Sequence, residues 1–240
     1  MIGSPCFPAR RTKVSMDIDP TSEALSGRLK ENFGREACIV FFKTKEEFGG
    51  LSNMAAGFEL QINNDDPIRT SEALYQACRF PHRPELQAEI IEEKSPMAAK
   101  MKSKPHRNDS RPDWEEARVA IMRWCLEVKL VQNWEKFSEL LLSTGDKPIV
   151  EESRRDDFWG AIPFDDYELR GQNVLGTLLT NLRGRVMPGA PRQLTVAPPQ
   201  GLQDFLLSGS PIGDVGPYAD DGGSDGSAQP ALFKLPQQSP

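Results

Sequence analysis

The sequence predicts an α+β fold, mostly helical, with a small antiparallel β-sheet, carried by a single domain over residues 36–186. Three observations predict it. Apolar residues recur at helical spacing in a series of segments between residues 71 and 184, while short β-rich or alternating runs sit at 38–42, 57–62 and 148–153. The last 54 residues, 187–240, hold nine prolines and eight glycines, a density that resists a packed core. Residues 1–35 mix Pro, Ser, Arg and acids without sustained periodicity and read as an N-terminal tail with a short helix around Ser22 to Asn32.

Each element has its own warrant. "CIVFF" (38–42) is β-rich, and Gly49 and Gly50 mark the turn after it. "GFELQI" (57–62) places Phe58, Leu60 and Ile62 on one face, and Ile68 to Thr70 can return beside it as a hairpin partner. Ser71 can cap a helix through "EALYQACRF", whose apolar stripe is Leu74, Ala77 and Cys78, with Glu72, Gln76 and Arg79 towards the other side. "PELQAEIIEEK" is helical, and Ser95 before Pro96 starts another helix. From Pro112 to about Gln132, Trp114, Ala117, Ile121, Cys125 and Val128 repeat along a long helix. "WEKFSELLLS" is a further helix ended by "TG", "PIVEES" (148–153) is a strand, and "NVLGTLLTNLRGR" closes the domain with Val174, Leu178 and Leu182 inward. Within the Pro/Gly-rich extension of 187–240, "LQDFLLSG" (202–209) can dock on the domain, and residues 216–240 read as disordered.

Charge and cysteine usage narrow the function. The formal charge is −6, and residues 1–186 carry 27 basic against 30 acidic side chains, so no broad phosphate-gripping surface is expected. One local basic run, "KSPMAAKMKSKPHRNDSR" (94–111), meets a single acid, Asp109. Cys6, Cys38, Cys78 and Cys125 form no C-x-x-C pair, and with only His82 and His106 beside them no metal site is predicted. Buried reduced thiols suit a cytoplasmic protein, and no stretch reaches the roughly 20 apolar residues of a membrane span.

Several residues carry chemistry by type and place. A carboxylate in the first turn of a helix, Glu72, feels exposed N–H groups that favour its ionised form. In a strand with Val150 inward, Glu151 points the other way, and Asp156 follows at the mouth of a loop. Two carboxylates converging with Glu72 can divide acid, base and oxocarbenium-stabilising work. The same residues are equally at home as helix-start and loop-capping acids. The loop "RRDDFWGAIPFDDYELRGQNVLG" (154–176) is unusual in mixing aromatics, five acids and glycines. Trp159 and Trp114 offer faces on which a base can stack, although Trp114 also fits plain helix packing. Gly160 permits close backbone approach, and Asn173 lines a pocket or caps the following helix. Ser52 and Asn53, after the glycine turn, can reach a phosphate or a ribose hydroxyl.

Read in order, "FFKTKEEFGGLSN", "TSEALYQACRF", "SPMAAKMKSKP…DW", "IVEESRRDDFWG" and "GQNVLGTLLTNLR" resemble the NADAR family, also called YbiA-like, across about residues 38–186. The resemblance implies a YbiA-like α+β fold and an N-glycosidase that needs neither cofactor nor metal. It implies Glu72, Asp156 and Glu151 as catalytic residues. Phe42, Ser52, Asn53, Tyr75, Gln76, Lys104, Trp114, Trp159, Gly160 and Asn173 are implied to bind substrate, with Lys104 and its neighbours holding a diphosphate. One branch is linked to phosphorylated ribosylamino intermediates of riboflavin synthesis and tends to carry a "WG-x-G" loop. Another removes ADP-ribose from guanine in DNA and so counters an ADP-ribosyltransferase toxin. "FWGAIPFDDYELRGQNVLG" and "LQDFLLSGSPI" look more like the second, which makes ADP-ribosylated guanine, in DNA or as nucleotide, the expected partner, with no membrane. A non-catalytic ADP-ribose or NAD binding module is the alternative of a different class.

Overall fold

The computed structural model of the chain describes residues 22–63, 65–186, 188 and 192–218. Seven helices are present among them: α1 (Ser22–Ser26), α2 (Ser71–Ala77), α3 (Pro84–Ile91), α4 (Pro96–Ser103), α5 (Trp114–Gln132), α6 (Trp134–Ser143) and α7 (Val174–Gly184). The strands are short: β1 (Glu31–Gly34), β2 (Ile39–Phe41), β3 (Ile149–Glu151), β4 (Ala161–Pro163), β5 (Glu168–Gly171), β6 (Leu206–Leu207) and β7 (Ser210–Pro211). The α+β character holds, but the sheet is built from other residues than those the alternation pointed to.

An antiparallel sheet of order β1-β5-β4 is joined through a Glu152–Ala161 bridge to a parallel pair, β2-β3. "CIVFF" therefore pairs in parallel with "PIVEES", because the chain between them is a helical crossover rather than a turn. The 57–62 run buries Phe58, Leu60 and Ile62 as its alternation demands. Yet it meets Ile68 only in one bridge, Leu60–Ile68. Its remaining backbone groups are taken by helix side chains: Gln132 exchanges two 2.8 Å bonds with the Gln61 backbone, and Asn133 donates to the Glu59 carbonyl. Side-chain amides at the end of α5 thus replace a second strand. Glu31–Gly34, read from sequence as tail, form β1, and the predicted helix from Ser22 stops at Ser26. Residues 1–21, and the extension from 219 on, lie outside the described residues.

The helix α5 is the axis of the core. Its predicted stripe is buried, but so are Val119, Trp124, Leu126, Leu130 and Val131, because other elements enclose it on several sides. Lys129, within α5, is wholly buried. It donates to the carbonyls of Gly50 and Ser52 and lies 4.3 Å from the centroids of both Phe58 and Phe137. Burial pushes its ammonium well below the usual lysine range. This contact fixes the glycine turn whose next residue is Asn53.

The start of α2 is shifted by one residue from the expectation. Thr70, extended, is the cap, its hydroxyl accepting from the Ala73 N–H, and Ser71 is the first helical residue. Asn173 stands before α7 with a left-handed backbone (φ 50°) and makes no side-chain cap. Its amide spans β3 instead, donating to the Ile149 carbonyl and accepting from the Glu151 N–H. Gly176 makes this possible, since a Cβ there would lie 2.1 Å from the Ile149 oxygen and 2.5 Å from the Asn173 amide. Gly176→Ala is expected to cost about 2 kcal/mol or more of unfolding free energy, as overpacking at a rigid contact does. A denaturant titration with the midpoint of the wild type would contradict this α7–β3 contact.

Candidate active site

The face of α2 opposite its apolar stripe opens onto a cavity of about 600 Å³. Helical spacing puts Glu72, Tyr75, Gln76 and Arg79 along one wall. Strand β3 and the loop after it supply Glu151, Glu152, Ser153, Asp156 and Trp159. The start of α5 supplies Trp114, Glu115 and Arg118.

Glu72 is the most constrained of these side chains. One carboxylate oxygen accepts from the Asn53 amide and the other, at 2.8 Å, from the Gln76 amide. The Gln76 oxygen is held in turn by the Ser103 hydroxyl at 2.6 Å, and the Glu72 N–H donates to the Asn53 carbonyl. The helix-start argument favours the ionised form, but desolvation outweighs it. Burial raises the Glu72 pKa, while Lys100, Gln76 and Asn53 pull it down and Asp156 pushes it up again. Glu151 is raised further, to about 8, by burial and then by the negative charges of Asp156 and Glu72, against the attraction of Lys100. Asp156 has a second task. Its Oδ1 accepts the N–H groups of Phe158 (3.2 Å) and Trp159 (2.9 Å), so it shapes the turn that carries Trp159.

The aromatic groups form one cluster. Tyr75 lies between the two tryptophans, 5.1 Å from Trp114 and 5.8 Å, edge-on, from Trp159. The Arg79 guanidinium sits 4.6 Å from the Trp114 ring centroid, and that of Arg118 3.7 Å from the Phe158 centroid. Burial, and then Tyr75 to a lesser and opposite degree, set the Arg79 pKa, which is lowered; the positive charges of Arg107 and Arg118 add to the lowering. Glu72, Glu151 and Asp156 therefore gather near Lys100, while Arg79, Arg107 and Arg118 cluster with one acid among them, Glu115, whose carboxylate lies 3.1 Å from the Arg118 Nε.

Of the residues singled out from sequence, Phe42, Asn53, Glu72, Tyr75, Gln76, Trp114, Glu151, Asp156 and Trp159 line the cavity. Four others do not. Lys104 is exposed on a 3-10 helix (Lys104–Asp109) outside it. Ser52 is buried beneath, accepting from the Met54 N–H; Gly160 packs on β3, where a Cβ would lie 2.5 Å from the Glu151 carbonyl oxygen; Asn173 acts through the β3 backbone. Asp157, outside the motif set, pairs with Lys30. None of the cavity cations Arg79, Lys100, Arg107 and Arg118 is among the site residues read from sequence, although Arg79 falls on the polar face of α2 and the spacing held a signal. Arg79 is seven residues from Glu72, Arg118 four from Trp114, and Lys100 and Arg107 belong to the basic run. Among the described residues no group of three or more potential metal ligands occurs, and no helix is long and apolar enough to cross a membrane.

Residues 40–187 match the NADAR domain. The chain belongs to the NADAR domain family. A riboflavin biosynthesis protein of Vibrio vulnificus is 31% identical over 160 residues, covering 66% of this chain and 41% of that protein. A chloroplastic riboflavin biosynthesis protein of Zea mays is 31% identical over 170 residues, covering 66% and 26%. The chain thus spans less than half the length of these two relatives. An N-glycosidase of Nostoc punctiforme is 30% identical over 153 residues, 62% of this chain and 92% of that one. Among solved structures, Escherichia coli YbiA aligns with a TM-score of 0.53 at 29% identity, over 62% of this chain and 84% of that chain. The YbiA alignment agrees with an α+β domain.

The raised Glu151 pKa has a measurable consequence. The group is neutral in the folded protein at pH values where the unfolded chain has already ionised it. Its contribution to stability is therefore fully present below the ordinary glutamate pKa and is lost as pH rises towards about 8. Carboxyl carbon NMR is expected to show one signal titrating near pH 8 that vanishes in Glu151→Gln, and the variant's unfolding free energy should fall less between pH 5 and 8 than that of the wild type. An ordinary carboxylate titration for this residue would contradict the desolvated site.

Proposed function

We propose that the protein is an N-glycosidase that releases a base from the anomeric carbon of a phosphorylated ribose, with ADP-ribosylated guanine, in DNA or as nucleotide, as substrate. The observation that carries the reading is one cavity that groups three carboxyl groups near Lys100 and three guanidinium groups around the single acid Glu115, with aromatic rings between the two groups. Breaking a ribose–nitrogen bond builds positive charge at the anomeric carbon and negative charge on the departing base. The site therefore needs an anion near the sugar and a proton for the base.

In this reading Glu72, fixed by two amides, stabilises the oxocarbenium-like state, orients the attacking water and takes the proton that this water releases as its oxygen bonds to the anomeric carbon. Glu151 is the proton donor, being largely protonated at neutral pH, and donates to the leaving nitrogen as the C–N bond breaks. Asp156 supports the charge and holds the Trp159 turn, since two backbone amides already occupy its Oδ1. The rings of Trp114 and Trp159, both against Tyr75, offer stacking faces for the base. Arg79, Arg107 and Arg118 take the place assigned from sequence to Lys104, as the partners of a diphosphate. The biological counterpart would be a guanine-directed ADP-ribosyltransferase toxin.

A second reading has its own support. Two relatives bear riboflavin biosynthesis names, which favours a phosphorylated ribosylamino intermediate of that pathway as substrate. The same carboxyl cluster would serve, with fewer cations engaged. Incubation with both substrates, followed by chromatography of the released base, separates the two. In either case Glu72→Gln is expected to lower kcat by about 10²- to 10⁴-fold, the usual scale for a positioned acid–base group, with a thermal midpoint near that of the wild type. Full turnover by Glu72→Gln would remove the assignment. Tight ADP-ribose binding without release of any base over hours would favour a binding module instead.

A further inference from the structure

The family's domain ends at residue 187, yet the chain from 192 to 218 is part of the same packed body. Val196 and Val215 bridge each other, β6 and β7 form a hairpin through Ser208 and Gly209, both left-handed, and Leu207 and Ile212 are buried. Phe205 meets Trp124 of α5 edge-on at 4.9 Å. This strap lies against the elements that build the guanidinium side of the cavity.

Two polar side chains join it to them. Arg111, only 4% exposed, donates to the Gln203 carbonyl of the strap at 2.7 Å and grips Asp113, the residue before α5. Its backbone N–H donates to the Arg79 carbonyl, and its carbonyl accepts from the Trp114 N–H. The adjacent Ser110 accepts from the Arg79 guanidinium and donates to the Arg107 carbonyl. Gln87 of α3, fully buried, donates to Ala77 at the end of α2 and to Leu206, and accepts from the Ser208 N–H. Without the strap, the Gln87 amide oxygen would lose its protein donor, the Ser208 N–H, and be left to water. Arg111, whose Nη1 already has no hydrogen-bond partner in the protein, would lose another.

We propose that residues 192–218 act as a clamp on the anion-binding wall, with Arg111 and Gln87 as positioning residues that set Arg79, Arg107 and Trp114 for a phosphorylated substrate. The clamp needs no contact with substrate. It rests on the reading of the cavity given above for its functional consequence, though not for its mechanical one. Removing an anchor should loosen the wall and weaken phosphate recognition while leaving the carboxyl cluster, on α2 and β3, at work.

The test uses Arg111→Met, Arg111→Lys and Gln87→Leu in the full chain with two readouts. Hydrogen exchange in peptides covering 104–114 should rise about tenfold or more in Arg111→Met, while peptides from β4 and β5 keep wild-type rates. Calorimetry with inorganic pyrophosphate should show affinity falling about tenfold, a loss that appears in KM with kcat within about threefold of wild type. Arg111→Lys, which keeps a donor, should recover part of both. Wild-type exchange over 104–114 in folded Arg111→Met overturns the clamp, and so does a collapse of kcat with pyrophosphate affinity intact. If Arg111→Met does not fold, Gln87→Leu is read by the same two criteria. A wild-type protein that binds no pyrophosphate and releases no base sinks the reading of the cavity, whereas the exchange result alone still decides the clamp.

Discussion

A buried carboxylate must be solvated by the protein or give up its charge, and the arrangement around Glu72 follows from that requirement. Both its oxygens are occupied by amides, one from Gln76 a turn along the same helix and one from Asn53 on the glycine turn. The helix alone could not place Asn53. The turn is held by the Lys129 ammonium, buried among two carbonyls and two phenyl rings on the far side of the cavity wall. Ser103 of α4 fixes the other amide. Three helices and one loop are thereby committed to a single carboxyl group, a large investment for a group that packing alone would not require.

The rest of the cavity can be read as a response to that charge. Glu151 and Asp156 share its neighbourhood, so burial first and then repulsion by Asp156 and Glu72 keep a proton on Glu151 to about pH 8. A carboxyl group held by two amide donors beside one that keeps its proton to about pH 8 is the division of labour expected when a cation needs an anion and a leaving group needs a proton. The guanidinium groups crowd elsewhere, where burial first and then Arg107 and Arg118 make the charge on Arg79 harder to keep, against Tyr75 and Glu115. Such crowding is relieved by a bound anion. A phosphate carried on the sugar would link the two clusters through one substrate.

Much of this was legible in the sequence because the helices obey local rules. The stripe on α5, the Ser95-Pro96 start of α4 and the Glu72/Gln76/Arg79 face of α2 all follow from spacing. The strands were harder. β1, β4 and β5 are three or four residues long with no alternation to betray them, and the 57–62 run alternates well but finds α5 side chains instead of a partner strand. Site residues split in the same way. Those on one face of a helix came out together, whereas Asn173 and Gly160, prominent in their motifs, work beneath the cavity by holding β3 and so the backbone of Glu151. Lys104 failed because the basic run turns as it passes from α4 into a 3-10 helix, which leaves Lys100 and, at an exposed position, Arg107 lining the cavity and Lys104 outside it. Local charge density marked the right segment; only the three-dimensional turn could select its members.

The central claim is that the carboxyl cluster recognises positive charge at a sugar carbon while the guanidinium wall holds that sugar's phosphate. The most direct measurement is calorimetric binding at pH 7 of an iminoribitol 5-phosphate, whose ring nitrogen is cationic, against ribose 5-phosphate, whose ring is uncharged. The cation mimics the transition state, and a preference of about 100-fold or more is predicted. Equal affinity for the two would contradict the claim, because it would mean that the buried carboxyl groups do not address the anomeric centre at all.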